Sequence, residues 1–187
     1  RKGKQEQYLK DEDELAQYQI QIALEDASFH VNADAPGISG EALQDIVKKF
    51  RGAQSHINRL SRQYPEEVLS ALYDLPVLSV EALADQAVVQ NWVTQLCEEV
   101  AEKSKAGALY TFEVKHDVEE HIYVPLVTSV IHGVTRKATL SLELFKSKEY
   151  HEICTVGEML KGLMEKGAYI KRGDKAQAVD KIGRAHV

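Results

Sequence analysis

The sequence predicts an α+β protein: an N-terminal helical half, a small antiparallel sheet of three strands, and short C-terminal helices. The spacing of apolar residues supports this class. Up to about residue 103, apolar side chains recur every three or four positions, as on one face of a helix, whereas from residue 108 they alternate. Beyond residue 147 the helical spacing returns.

The helical half begins with a helix predicted over about residues 12–25. Asp11 and Asp13 offer an N-cap and an acidic first turn, which the helix dipole favours. A short strand is predicted at 28–31. The next six residues, 32–37, contain a Pro-Gly pair and are expected to form a loop.

Three more helices are expected before the sheet. The longest starts after Ser39 and keeps a 3.6-residue apolar period to Tyr64. Pro65 stands at a first-turn position and restarts a helix, which Pro76 ends. A further helix covers about residues 85–103, so these elements can pack as an all-helical layer.

The predicted sheet is a three-stranded meander. Its strands are expected at 110–114, at 122–130 and at the alternating leucines of 140–144, with a turn at His132-Gly133. Pro125 has no N–H to donate to a ladder. Its strand is therefore expected to lie at an edge of the sheet or to bulge there.

The C-terminal part is predicted to contain two short helices and one strand. Thr155 and Glu158 fit the capping box Thr-x-x-Glu, so a helix that begins past Ser147 is expected to break and restart over about 156–166. Residues 168–171 are expected to form a last strand.

Composition and charge describe an ordinary globular protein of one or two compact units. The chain has 187 residues, 44% hydrophobic and 28% charged, and no apolar run approaches the ~20 residues of a membrane span. Cys97 and Cys154 are too few for a disulfide framework, so a reducing cytosol is the expected compartment. A net charge of -6 argues against a free-standing nucleic-acid binder.

The nucleotide and metal motifs of known enzymes are incomplete in this sequence. Gly157 and Gly162 have the spacing of a phosphate-binding loop, but Leu163 and Met164 replace the Lys and the Ser or Thr that bind phosphate and magnesium. The sequence therefore predicts no nucleotide site.

Two pairs of residues that contain histidine have spacings compatible with zinc binding. His151 with Cys154 could share a helical face, and His116 with His121 could meet across a turn, but neither pair has third and fourth ligands at a matching spacing. We expect ordinary surface or half-buried residues at these positions, and no metal, cofactor or catalytic residue.

One group of charged residues has a helical spacing. On the long helix, the residues at separations of 3, 4, 4 and 3 fall within an arc of roughly 80° and form a ridge about 20 Å long. This basic ridge consists of Lys48, Arg51, Ser55, Arg59 and Arg62. It is either a solvated helix face or a contact for an acidic partner or a nucleic-acid backbone, and the sequence leaves both open.

Five segments of the chain, taken in order, match the sequence of a known family. The segments are RKGKQEQYLKDEDELAQYQIQIALEDASFHVN at the start, SGEAL at 39–43, RQYPEEVL at 62–69, HGV at 132–134 and EICTVGEMLKGLMEKGAYIKRG at 152–173. Together they resemble the B subunit of bacterial DNA gyrase of the Gram-negative type. The resemblance covers about residues 1 to 179, and it depends on the length and order of the matching segments because no single motif is chemically diagnostic.

The resemblance implies a domain organisation for a chain cut from a larger protein. Residues 1–25 would leave a Toprim core, residues 26–107 would be the helical part of a large insertion, and residues 108–179 its α+β part. Residues 180–187 depart from the family pattern and are expected to be a tail added by cloning.

The same resemblance implies a function. The chain would be a non-catalytic insertion that supports DNA binding and communication between ATP turnover and strand passage. ATP and Mg²⁺ would bind to the parent protein outside these residues. The implied partners are the Toprim core of the same polypeptide, the gyrase A subunit, and DNA in the assembled A2B2 enzyme of the bacterial cytoplasm, with no membrane. The rival interpretation is an independent protein-interaction or small-ligand-binding domain with no topoisomerase role.

Overall fold

A computed structural model describes residues 12–104, 106–164 and 167–179. The predicted cap at Asp11 and the predicted tail at 180–187 lie outside the described residues. A short 3₁₀ turn occupies Glu81–Ala84. In chain order the helices and strands are α1 (Glu12–Ala23), β1 (Ala27–His30), β2 (Ile38–Ser39), α2 (Gly40–Leu60), α3 (Glu66–Ala71), α4 (Gln86–Lys103), β3 (Ala108–Asp117), β4 (Ile122–Ile131), β5 (Val134–Thr139), α5 (Leu142–Lys146), α6 (Lys148–Leu163), β6 (Tyr169–Arg172) and β7 (Lys175–Ala178).

The predicted α+β class is confirmed, and the structure contains two antiparallel sheets rather than one. The chain divides into two compact units. The first joins residues up to Phe50 with those from Gly162 onward, and the second is Arg51–Lys161. The domain boundaries implied by the resemblance stay predictions.

The sheet of the first unit has the strand order β2-β1-β6-β7. Because side chains alternate along a strand, Ala27 and Phe29 of β1 point to one face, where they are buried with Leu43 of α2 and Ala168. Half-buried apolar residues surround this core: Leu24, Val31, Ile38, Leu163, Met164 and Val179.

The strand predicted at 168–171 is confirmed as β6, but it is not the last strand. β7 pairs with it through a two-residue turn, Gly173-Asp174, in which Gly173 has a φ of 55°. β7 was missed because its sequence, Lys-Ala-Gln-Ala, has no large apolar residue to bury, and all four of its residues are exposed.

The second unit contains the predicted helices α3 and α4 and the sheet β3-β4-β5. The side chain of Asp85 caps α4 by accepting hydrogen bonds from the N–H groups of Ala87 and Val88. Trp92 of α4 donates its indole N–H to the carbonyl of Pro76, 2.9 Å away. The largest fully buried side chains of this unit include Ile57, Leu69, Leu72, Leu83, Leu96, Leu140, Phe145, Tyr150 and Ile153.

The prediction of a third strand at 140–144 was wrong. The strand that pairs with β4 is β5, and most of residues 140–144 belong to α5. The alternation of leucines suggested a strand, but Leu144 and Phe145 are buried together by the short helix α5. Leu140 is buried just after the end of β5. β5 is mostly polar and exposed because it is an edge strand.

Pro125 was expected at an edge or a bulge, yet its strand, β4, lies in the centre of the sheet. The ladder between β4 and β5 ends at the pair Leu126–Thr139, one residue before Pro125. The carbonyl of Pro125 accepts a hydrogen bond from the N–H of Leu140 on that same side. The missing N–H of the proline therefore falls just beyond the ladder, where no strand partner needs it.

The predicted break before residue 156 was also wrong, because α6 continues through it. Thr155 lies inside the helix, and Ile153, Val156 and Leu160 are buried at helical spacing. Gly157 is not a helix breaker here. A Cβ atom at this position would lie 2.6 Å from the Cα of Tyr73, so the missing side chain is what allows α6 to approach that backbone.

We predict that Gly157→Ala lowers the free energy of unfolding by about 1–3 kcal/mol, because the added methyl group must displace the backbone at Tyr73. Gly52→Ala is the control: Gly52 lies on α2 with nothing within 4 Å of a Cβ, so alanine should stabilise by about 0.5–1 kcal/mol. Urea titration of the chain measures both. Equal changes in the free energy of unfolding for the two variants would contradict the close approach of α6 to the backbone at Tyr73.

Candidate nucleic-acid interface

The basic ridge lies mostly on α2, as the helical period predicted. Lys48, Arg51, Ser55 and Arg59 occupy the helix, and Arg62 follows its end in a turn. All five are exposed, while Ala53 and Ile57 on the other side of the helix are buried. Lys48 belongs to the first compact unit and the remaining members to the second.

One member of the basic ridge is already paired within the chain. The guanidinium of Arg59 forms a salt bridge with the carboxylate of Glu149 in α6. The arginine side chain is 59% exposed and the glutamate 28% exposed. An external anion that binds Arg59 must therefore compete with a carboxylate already in place.

A hydrogen bond between side chains joins the same two helices. His56 Nε2 lies 2.5 Å from Glu152 Oε2, and Lys148 Nζ lies 3.1 Å from the other carboxylate oxygen, Oε1. Lys148, and to a lesser extent His56, hold the pKa of Glu152 below its ordinary value. The sequence carried no signal for these contacts, because the acidic partners lie 90 or more residues from α2 along the chain.

Three cations of the basic ridge remain available. Among the described residues, Lys48, Arg51 and Arg62 form no salt bridge. A guanidinium or ammonium group without an internal partner can bind a phosphate or a carboxylate from outside. Arg51 and Arg62, which lie on either side of the internally paired Arg59, therefore stay candidates for contact with an external anion.

Two of the three histidines with spacings compatible with zinc binding pack against tyrosine rings. His116 packs against Tyr123 with ring centroids 4.8 Å apart, and His151 packs against Tyr150. Within residues 12–104, 106–164 and 167–179, no group of three or more His, Cys, Asp or Glu side chains is placed to hold a metal ion.

The thiol of Cys154 and the phenol groups of Tyr73 and Tyr150 lie in the core. Burial raises the pKa of Cys154 to about 11 and that of Tyr73 to about 12, so both stay protonated at neutral pH. Burial also raises the pKa of Tyr150, whose hydroxyl oxygen accepts a hydrogen bond of 2.9 Å from the N–H of Leu78. Of the helices that the structure describes, none is long and apolar enough to span a membrane.

Two family comparisons match the chain. Residues 27–186 match the DNA gyrase B subunit insert domain, and residues 1–24 match the family described as GyrB, hook. The first range includes most of the predicted tail, whose origin stays a prediction. Together the matches define an α+β insertion within a topoisomerase as the class of protein. The chain belongs to the DNA gyrase B subunit insert domain family.

We predict that Glu152→Gln lowers the melting temperature of the chain at pH 7 by about 1–3 °C, since an exposed ion pair stabilises weakly. The folded pKa of Glu152 is lowered, so its stabilisation is present above the unfolded value of about 4.3 and disappears as the pH falls through the folded pKa. The melting temperatures of the two proteins should therefore converge only as the pH falls below this lowered folded pKa.

Glu98→Gln is the matched control for this measurement. Glu98 is an exposed carboxylate on α4 and forms no salt bridge among the described residues. Its replacement should leave the melting temperature nearly unchanged at either pH. If the melting temperatures of the wild type and of Glu152→Gln still differed at low pH, the ion pair would not be the cause of the difference.

Proposed function

We propose that this chain is the non-catalytic insertion of the gyrase B subunit, which supports DNA binding and communication between subunits during ATP-dependent supercoiling. The observation that carries the proposal is the basic ridge, whose Lys48, Arg51 and Arg62 have no salt-bridge partner within the described residues. The partners are then the Toprim core of the same polypeptide, the gyrase A subunit, and DNA in the assembled enzyme of the bacterial cytoplasm. Mg²⁺ and ATP act in the parent protein outside this domain.

The charge of the chain requires that any DNA contact be local. Phosphate neutralisation by Lys and Arg supplies most non-specific affinity for DNA, and a chain of net charge -6 repels DNA as a whole. Cations that face solvent on one helix can still meet the backbone when the rest of an assembly holds the DNA beside them. An insertion in a larger enzyme provides that condition.

The side-chain contacts between α2 and α6 fix the position of the basic ridge on the second unit. Arg59 with Glu149 and His56 with Glu152 attach the part of α2 in the second unit to α6. A partner that displaces Arg51 or Arg62 would therefore also displace α6 and the core residues that α6 buries. This bracing supports a role in communication as well as in binding.

A second candidate function is protein interaction without a DNA contact. Leu109 is 69% exposed and Val134 is 57% exposed at the end of the three-stranded sheet next to the His132-Gly133 turn, and the strand register places them on opposite faces of the sheet. Each is a single apolar side chain that a protein partner would cover. In gyrase, the A subunit would be such a partner.

Deletion of residues 26–179 from the full-length B subunit tests the proposed function. With the A subunit present, we expect weaker DNA binding and slower supercoiling, because the deletion removes both the cations and the braced helix. DNA binding, supercoiling and ATP hydrolysis are measured separately. Normal values in all three assays would refute the proposal, and a loss of supercoiling with normal DNA binding would favour the protein-interaction candidate.

A finer variant of the full-length protein changes Lys48, Arg51 and Arg62 to Gln. The slope of log affinity for duplex DNA against log salt should become less negative by about 0.9 for each phosphate that the protein no longer binds. Arg59 is left unchanged because its replacement would also break the pair with Glu149. A control that changes Lys115, Arg136 and Lys137 removes the same charge from the exposed surface of the three-stranded sheet and should leave the slope unaltered.

A further inference from the structure

The hairpin of the first unit carries a second basic surface. This basic hairpin consists of β6, the Gly173-Asp174 turn and β7. Lys171, Arg172 and Lys175 are all exposed, and Asp174 is the acidic residue of the hairpin. The surface is on different elements from the basic ridge of α2.

The strand register brings two like charges together. Arg172 and Lys175 are direct cross-strand partners, so their side chains leave the same face of the sheet a few ångströms apart. Like charges directly opposite each other destabilise a strand pair. Asp174 follows in the turn and Asp26 precedes Ala27, the β1 partner of Arg172, yet among the described residues neither acid forms a salt bridge with the two cations.

The other face of the hairpin combines a cation with a fixed aromatic ring. Lys171 and Tyr169 point to this face, and on β7 they stand opposite Ala176 and Ala178, whose small side chains leave them open. The ring of Tyr169 stacks on His30 with centroids 4.5 Å apart and an angle of 2° between the planes.

The histidine under Tyr169 is itself held in place. Its Nε2 lies 3.0 Å from the hydroxyl of Ser28, and its Nδ1 lies 3.3 Å from the carbonyl oxygen of Ala35. A Cβ on Gly37 would lie 2.9 Å from the ring, so the loop closes tightly over it. The tyrosine therefore rests on a rigid support and can present its hydroxyl without a large loss of side-chain entropy.

The composition of the hairpin favours a phosphate backbone over a protein partner. Lys is depleted in protein interfaces, which depend on apolar and aromatic anchors. Lys, Arg and Tyr side chains are instead the usual donors to DNA phosphates. Ile170, which is 42% exposed, is a single large apolar side chain on the hairpin and forms no extended apolar patch there.

We propose that the basic hairpin is a contact for the phosphate backbone of duplex DNA, made by Arg172 and Lys175 on one face and by Lys171 with Tyr169 on the other. The inference rests on the proposed function, because it takes DNA as the partner of the assembled enzyme. A phosphate between Arg172 and Lys175 removes the repulsion that the register creates. The repulsion between Arg172 and Lys175 lowers the stability of the free protein, and DNA binding offsets this loss.

The test uses the full-length B subunit carrying Lys171→Gln, Arg172→Gln and Lys175→Gln, assembled with the A subunit. The probe is a linear DNA duplex, and its affinity is measured across a salt titration. Removal of two or three phosphate contacts should make the log–log slope less negative by about 2 to 3 and weaken binding at about 0.1 M salt by at least tenfold. The variant Asp174→Asn, which removes the acid of the turn, should tighten binding.

A stability measurement separates binding from folding. Arg172→Gln removes a like-charge pair, so the melting temperature should stay the same or rise. A clear fall in the melting temperature together with weaker DNA affinity would show a structural role and would overturn the proposal. The control variant of the three-stranded sheet, which changes Lys115, Arg136 and Lys137, must leave the slope of log affinity against log salt unaltered. An equal change of slope in the control would show that net charge, not the hairpin, causes the effect.

The remaining outcomes distinguish this inference from the function on which it rests. If deletion of residues 26–179 weakens DNA binding but the hairpin variant does not, the hairpin contact is wrong and the proposed function stands. If neither change affects DNA binding, both are wrong. If the hairpin variant weakens assembly with the gyrase A subunit while DNA affinity is unchanged, the partner is an acidic protein surface and the DNA contact is overturned.

Discussion

The close approach of α6 to the backbone at Tyr73 is the constraint on which the second unit depends. Gly157 makes it possible, because any side chain there would collide with that backbone. The approach buries Ile153, Val156 and Leu160 on one face of α6. It is supported near the start of the helix by Tyr150, whose hydroxyl accepts the N–H of Leu78.

The same placement of α6 decides what the basic ridge can do. With α6 packed, Glu149 and Glu152 reach Arg59 and His56, so part of the ridge becomes an internal brace and part stays open to solvent. A helical wheel cannot distinguish the paired members of the basic ridge from the solvent-exposed ones, since it assigns all five residues to one exposed face. The physical difference is whether a carboxylate from a distant segment arrives within a few ångströms.

Charge is distributed in this family member so that an acidic chain keeps local basic surfaces. The whole chain has a net charge of -6, yet residues 146–187 carry nine Lys and Arg against six Asp and Glu. Some of these cations are used internally: Lys148 pairs with Glu152, and Lys161 donates to the carbonyl of Asp74 at 2.5 Å. Among the described residues, the cations of the basic hairpin form no salt bridge, and neither do Lys48, Arg51 and Arg62 of the basic ridge.

The sequence by itself determined the α+β class, the helices α1 to α4, the strands β3 and β4, and the family, because apolar periodicity and a long ordered resemblance are local properties of the chain. It also placed Lys48, Arg51, Arg59 and Arg62 on one face. Only the tertiary structure decided the rest. β5 and β7 are edge strands without apolar alternation, Gly157 allows α6 to pack closely against the backbone at Tyr73, and Arg59 is paired with Glu149 from 90 residues away. Each of these outcomes depends on which distant segment lies alongside, and no local pattern of residues encodes that contact.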